Sequence, residues 1–222
     1  MGICDNADAV KLICTNWYKI RASKYIDETM ARTRQFDERQ ALIAAMLVFC
    51  EKGYEGTSIH DLEQAMGLNR TSIYNAFGNK RAIFNRVMMC YKESVMSALF
   101  ADLQNAPDIR EGVRRLLYGA LDIHFDEDNP GGCLMVLSML EDNQHDEQAK
   151  TAMQETFHTL KNTLQTLLGK AKKAGELSPD LDTGSMATTI ATTMTGMMVM
   201  GKANFSRASL RKTINQVVSL LD

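Results

Sequence analysis

The stretch from Thr57 to Lys80, TSIHDLEQAMGLNRTSIYNAFGNK, most restricts the fold of this chain, because its pattern predicts two short helices joined by a tight turn. Ser58 and Asp61, three residues apart, form a capping-box pattern that marks the start of the first helix. The apolar residues of this helix then recur at helical spacing on one face, as Ile59, Leu62, Ala65 and Met66. The first helix is therefore expected to pack through that face.

The turn and the second helix are equally well marked. Gly67 can adopt the left-handed conformation that ends a helix, Leu68 can fill the inside of the bend, and Asn69 is a good N-cap for the second helix. Ile73 and Phe77, four residues apart, would face inward. The side chains on the outward face are small, polar or cationic: Arg70, Thr71, Ser72 and Asn75. Such a face suits a helix that enters the major groove of DNA.

The motif T-(x)3-D-L-(x)2-A-M-G-L-N-R-(x)2-I-Y-(x)2-F-(x)2-K resembles the DNA-binding signature of the TetR (tetracycline repressor) family. The resemblance implies an all-α protein with an N-terminal three-helix DNA-binding domain and a C-terminal helical domain for effector binding and dimerisation. It also implies that Thr57, Tyr74 and Lys80 bind phosphates. By the same resemblance, the residues facing the bases are Arg70, Thr71, Ser72 and Asn75.

The motif departs from the family pattern at one position, and a second interpretation of it is possible. Glu63 stands where the family usually has alanine, and we expect its side chain to point into solvent. The alternative to a DNA-binding motif is a packed helical hairpin that happens to have a polar outer face.

Composition supports a helical protein. The 222 residues include only three prolines, 45% are hydrophobic, and no sustained alternating pattern indicates a strand. No run approaches the length of a membrane span, and the start lacks the pattern of a secretory signal, so we expect a cytoplasmic protein. Five cysteines without metal-type spacing suit free thiols in a reducing compartment.

The net charge of −2 does not by itself indicate a nucleic-acid partner. The charge is, however, divided along the chain. Residues 30–86 contain eight Lys and Arg against six Asp and Glu, whereas residues 87–222 contain thirteen against seventeen. Positive charge is thus expected near the DNA phosphates.

Residues 1–29 differ from the rest, since they hold the only tryptophan and two cysteines but no sustained helical face. They are interpreted as an extension outside the domain, or alternatively as a functional arm. The DNA-binding domain is assigned to residues 30–86. Within it, Arg32 and Arg34 precede the first helix and could reach a minor groove or phosphates; the alternative is two solvated charges.

Residues 87–222 are assigned to the effector-binding and dimerisation domain. A long helix running to Pro107 would join the two domains, and further helices are expected after Asp108, after Cys133, and up to Gly175. The last two helices, 183–201 and 206–221, are predicted to form a homodimer interface. The second carries the stripe Leu210, Ile214, Val217 and Leu221, which could instead be an ordinary core stripe.

The predicted effector is a small, largely apolar molecule. Candidate pocket residues are adaptable methionines and aromatics, Met88, Tyr118, Phe125, Met135 and Met139, although they could equally be plain core residues. An alternative is thiol-based sensing of electrophiles or oxidants through Cys133, where helix-start N–H groups would lower the thiol pKa.

Catalysis has no positive indication, and no catalytic residues, metal ligands or cofactors are predicted. Glu141 and His145 are four apart, but two ligands do not complete a metal site. GMMVMGKA, residues 196–203, ends in alanine where a phosphate-binding loop needs Ser or Thr. Two function classes remain: an effector-responsive repressor that binds a palindromic operator as a dimer, or a helical enzyme or interaction module.

Overall fold

The computed structural model describes residues 36–125, 132–141 and 147–222, and this part of the chain is helical with no strand. Residues 1–29, together with Arg32 and Arg34, lie outside it, as does His145. The helices are α1 (Glu38–Gly56), α2 (Ile59–Met66), α3 (Arg70–Phe77), α4 (Lys80–Tyr91), α5 (Ser97–Gln104), α6 (Ile109–His124), α7 (Leu134–Leu140), α8 (Glu147–Lys173), α9 (Thr183–Lys202) and α10 (Arg207–Ser219). The predicted all-α class is confirmed.

Helix α1 begins where Asp37 accepts hydrogen bonds from the N–H groups of Arg39 and Gln40. Its inner face is buried, with Phe49 fully enclosed. The helix breaks at Gly53, whose φ of 72° and ψ of 178° are not helical, and a single turn follows to Gly56. Glycine suits this position because a side chain disfavours a positive φ.

The long connecting helix is present but not regular. Helix α4 continues into a π-helical turn, Lys92–Met96, and then into α5. The hydroxyl of Ser94 donates a 2.5 Å hydrogen bond to the Cys90 carbonyl at this turn. The π turn inserts one residue, which shifts the buried face between the two halves. The regular spacing in the sequence did not predict this shift.

The second half of the chain packs around α6, which contacts α5, α9 and α10. The stripe on α10 predicted for the dimer interface is buried within the protomer instead, with Leu210 at 4% and Ile214 at 0% exposure. Helix α10 packs against α6, so this buried face is turned into the protomer. For Leu210 and Ile214, the alternative of a core stripe is the correct one.

Helix α7 links the two halves. It packs against α1 and α4 on one side and against α8 and α9 on the other. The Ser138 hydroxyl is buried and lies 3.8 Å from the Met88 sulfur of α4. No helix in the described ranges is long and apolar enough to cross a membrane.

Candidate DNA-binding surface

The start of α2 is fixed by the predicted capping box. Ser58 Oγ accepts the Asp61 N–H at 3.1 Å, and Asp61 Oδ2 accepts the Ser58 N–H at 2.8 Å. Lys52 donates to Asp61 Oδ1 at 2.5 Å. The hydrogen bonds from Lys52 and Ser58 hold the pKa of Asp61 well below its usual range. Ala65, predicted to lie on the packed face, is instead exposed, while Leu62 is fully buried.

The turn and the start of α3 also follow the sequence prediction. Gly67 has φ 63° and ψ 28°, the left-handed conformation, and its N–H donates to the Glu63 carbonyl. Asn69 then caps α3 by accepting the Ser72 N–H at 2.8 Å. Local hydrogen bonds therefore set the angle between α2 and α3.

Helix α3 has one buried and one solvent-facing side. Ile73 is 0% and Phe77 is 4% exposed, and the Phe77 ring contacts Phe36 with centroids 5.8 Å apart. The predicted base-facing residues Arg70, Thr71 and Asn75 are exposed together with Tyr74, whereas Ser72 is half-buried. The structure thus brings these predicted DNA contacts onto one continuous face of α3.

Lys80 is the first residue of α4. Its Nζ donates to the Thr57 carbonyl at 2.7 Å and lies 4.4 Å from the centroid of the Tyr54 ring. The Arg81 guanidinium is 4.2 Å from the same ring. Two cations at the start of α4 therefore contact one buried tyrosine. Arg81 did not stand out in the sequence, because the contact with Tyr54 spans twenty-seven positions.

Thr57 is placed differently from the expectation drawn from the resemblance. Its side chain is only 1% exposed, and its hydroxyl donates to the Gly53 carbonyl at 2.6 Å. The hydroxyl closes the turn between α1 and α2. This placement does not favour a phosphate contact by the Thr57 side chain.

Glu63 does not simply point into solvent, contrary to expectation. Its carboxylate is 22% exposed and lies 4.0 Å from Nε of Arg70 and 3.8 Å from Nδ1 of His60. Glu63 therefore contacts one of the predicted base-facing residues. At these distances and exposures the pairing is weak, so Arg70 can exchange Glu63 for another partner.

The five candidate effector residues lie in different surroundings within the part of the chain that the structure describes, and none of them lines the cleft described below. Met88 and Met135 are core residues, and the Tyr118 hydroxyl donates to Asn215 of α10 at 3.2 Å. Phe125 packs edge-on against His124, and Met139 is 44% exposed. A cleft of about 250 Å³, including its open mouth, lies between α6, α7 and α9. Its lining comprises His124, Cys133, Val136, Leu137, Leu140, Met198, Val199 and Lys202.

The predicted activation of Cys133 is wrong in sign. The thiol is buried at the start of α7, and burial raises its pKa. Hydrogen bonds from the Tyr91 side chain and from the N–H groups of Val136 and Met135 lower the pKa, as expected for a helix start, but desolvation outweighs them. Burial also raises the pKa of the neighbouring Cys50 to about 12.

Glu141 and His145 are the pair of potential metal ligands that lie four apart in the sequence. His145 lies outside the described residues, and Glu141 binds backbone N–H groups of α1. In the ranges that the structure describes, no group of three metal-binding side chains occurs.

A capped helix, a left-handed glycine turn and a second helix with an exposed polar face together define a helix-turn-helix DNA-binding protein. Residues 41–87 match the family model described as bacterial regulatory proteins, tetR family, and residues 111–217 match the tetracyclin repressor-like C-terminal domain. The chain belongs to the TetR family of transcriptional regulators.

Relatives and solved structures that are similar to this chain are also transcriptional regulators. The chain is 27% identical to the regulator YezE of Bacillus subtilis, covering 87% of this chain and all of that one. It is 24% identical to the repressor ComR of Escherichia coli, covering 90% of this chain and 95% of that one. A cysteine variant of the TetR family regulator CifR, solved with 26-bp operator DNA, superposes with a TM-score of 0.75 at 30% identity, over 85% of this chain and 98% of that one.

Proposed function

We propose that this regulator is a repressor that binds an operator duplex through the exposed face of α3 and releases it on binding a small-molecule effector. The observation that carries the proposal is the placement of Arg70, Thr71, Tyr74 and Asn75 on one exposed face of α3. CifR, which is similar over most of this chain, was solved with operator DNA. Such a regulator would act in the cytoplasm.

Roles within this surface follow from chemistry and position. Arg70, at the N-terminal end of α3, would reach base edges, where a guanidinium can bind guanine O6 and N7 together. Thr71, Ser72 and Asn75 would complete the base contacts. Lys80, Tyr74 and Arg81 would bind phosphates, which fix the register of the protein on the duplex. Arg32 and Arg34 remain candidates for a minor-groove arm.

The duplex partner can be identified by selecting bound sequences from a random pool with the purified protein. Arg70→Ala should lower affinity and relax base preference at one position, at a cost of about 1–3 kcal/mol for the lost contact. Gln64→Ala, an exposed change on α2, serves as the matched control. Recovery of no enriched sequence, or unchanged preference in the Arg70 variant, would contradict the proposal.

We further propose that the protein acts as a homodimer through the outward faces of α9 and α10, within 183–201 and 206–221. The inward stripes are occupied by the protomer core. The outward face of α9 includes Thr188, Thr189, Thr192 and Met200, all exposed. No charged residue occurs between Thr183 and Gly201, which is unusual for an exposed helix and suits an interface.

This interface can be tested with one exposed residue. Thr192→Arg would introduce one positive charge in each protomer at the proposed interface. The repulsion should shift the protein toward monomer without lowering the melting temperature of the protomer. Sedimentation at micromolar concentration measures the change, and Lys161→Glu on α8 is a charge control. A dimer unchanged by Thr192→Arg would refute this placement.

The effector is proposed to be small and largely apolar, and to bind in the cleft between α6, α7 and α9. Apolar side chains dominate its lining, including Val136, Leu137 and Met198, and Lys202 lies at its edge. A panel of naphthols and short fatty acids can be screened for operator release. Release from the wild type but not from Leu140→Arg, which places a charge at the mouth, would support this site; equal release from both would exclude it.

A further inference from the structure

The side chain of Glu141, just after α7, binds the first domain directly. Its Oε2 accepts the Tyr54 N–H at 2.8 Å, and its Oε1 accepts the Glu55 N–H at 3.4 Å. These backbone groups belong to α1, eighty-seven and eighty-six positions earlier in the chain. One carboxylate therefore joins the effector-binding half of the protein to the end of α1.

The Glu141 carboxylate binds directly after the break at Gly53. The backbone at Gly53 is not helical, and Tyr54 and Glu55 follow it in a further turn that ends at Gly56. The negative carboxylate accepts from N–H groups at the start of this turn, where a helical turn carries partial positive charge. A Cβ at position 53 would lie 2.6 Å from Glu141 Oε1, so the bond also needs the space that glycine leaves.

The same turn contacts the predicted DNA-binding groups. Lys80 Nζ donates to the carbonyls of Thr57 at 2.7 Å and Glu55 at 3.5 Å, and it lies over the Tyr54 ring. Glu141 therefore accepts from backbone N–H groups of the turn from Tyr54 to Thr57. Lys80 donates to backbone carbonyls of the same turn. Ser58, the N-cap of α2, follows immediately.

We propose that Glu141 is a positioning residue that sets the placement of Lys80 and of the start of α2 by fixing the turn from Tyr54 to Thr57. The inference rests on the proposed operator binding, because its functional consequence is read through DNA. A displacement of α7 would be transmitted to this turn through the carboxylate. Glu141 itself need not touch DNA, since it acts through the backbone of α1.

The test compares Glu141→Ala, which removes both acceptors, with Glu141→Gln, which keeps one carbonyl oxygen. Glu147→Ala is the matched control, since Glu147 is 92% exposed and pairs only loosely with Lys150 at 3.7 Å. Two quantities are measured well below the melting temperature: amide hydrogen exchange of the peptide containing Tyr54 and Glu55, and affinity for the selected operator duplex. We expect Glu141→Ala to accelerate exchange and to weaken operator binding, each by about tenfold.

A double variant separates positioning from general destabilisation. If Glu141 acts through Lys80, the loss of affinity from Glu141→Ala should shrink to about twofold in a Lys80→Ala background, because the group being positioned is already absent. Independent effects would multiply instead. Glu141→Gln should retain most of the wild-type affinity.

The outcomes are distinguishable. Unchanged exchange at Tyr54 and Glu55 in Glu141→Ala, wild-type operator affinity in that variant, or full multiplication of the two effects would overturn the positioning role while leaving operator binding intact. An equal effect from Glu147→Ala would also overturn it. Failure of the wild type to select any duplex would instead overturn the proposed function, while hydrogen exchange would still test the bond.

Discussion

Substitution of Lys80 by alanine offers a quantitative test of the proposed surface. Lys80 Nζ is held 2.7 Å from the Thr57 carbonyl and 4.4 Å from the Tyr54 ring centroid. An ammonium held in this way is already ordered, so it loses little side-chain freedom when a phosphate arrives. We therefore expect one phosphate contact from Lys80 in each protomer.

The magnitude follows from counterion release. Each neutralised phosphate contributes a slope of about −0.9 to the dependence of log affinity on log salt, so two protomers lose about 1.8 in Lys80→Ala. When salt is raised from roughly 50 to 200 mM, both proteins lose affinity. The fold loss of the wild type should be about twelve times the fold loss of the variant. The loss should be similar for operator and unrelated sequences, because phosphates carry no base identity.

Fluorescence anisotropy with labelled duplexes across a salt series measures these slopes. Lys173→Ala is the control, since it removes the same charge from an exposed position at the end of α8. The melting temperature of each variant reports whether the bonds of Lys80 to the turn also support the fold. An unchanged slope in Lys80→Ala, or an equal reduction in Lys173→Ala, would refute the phosphate contact.

Four further predictions concern Asp61, Cys133 and residues 1–29. Because its partners hold the pKa of Asp61 below its ordinary value of 3.8, Asp61 stabilises the fold above that pH, and this contribution is lost as the pH falls further. Asp61→Asn should thus be less stable than wild type in urea at pH 7, with a difference that narrows toward pH 3; a constant difference would contradict the assigned pairing. Burial should make Cys133 react with iodoacetamide more slowly than the half-buried Cys90 in the native protein at neutral pH, as measured by mass spectrometry of peptides. Cys133→Ser should respond to a quinone as the wild type does, and selective loss of release in that variant would restore thiol sensing. A chain beginning at Met30 should keep its melting temperature and operator affinity; a large loss of either would show that residues 1–29 contribute to the domain.

The local signals in the sequence predicted the helix-turn-helix well. Ser58, Gly67 and Asn69 act on backbone groups within three or four positions, so their effects can be inferred from spacing alone. The burial of Ile73 and Phe77 follows from the same short-range periodicity. This explains why the buried and exposed sides of α3 could be predicted from the sequence.

Long-range contacts explain the predictions that were wrong. The stripe containing Leu210 and Ile214 was correctly identified as apolar, but periodicity does not say whether an apolar face meets its own chain or a second subunit. For Cys133, the helix-start effect exists, yet burial outweighs it, and burial is a property of the whole fold. The Glu141 bond to Tyr54 spans eighty-seven positions and has no sequence pattern that would indicate it.

Two copies of this chain are proposed to bind one palindromic duplex. Sedimentation velocity of the purified protein with the selected operator, at micromolar concentration and moderate salt, measures the stoichiometry directly. We predict a complex of two protomers per duplex, with half-sites about one helical turn apart and affinity lost when one half-site is scrambled. A single protomer bound with full affinity to an isolated half-site would contradict the account.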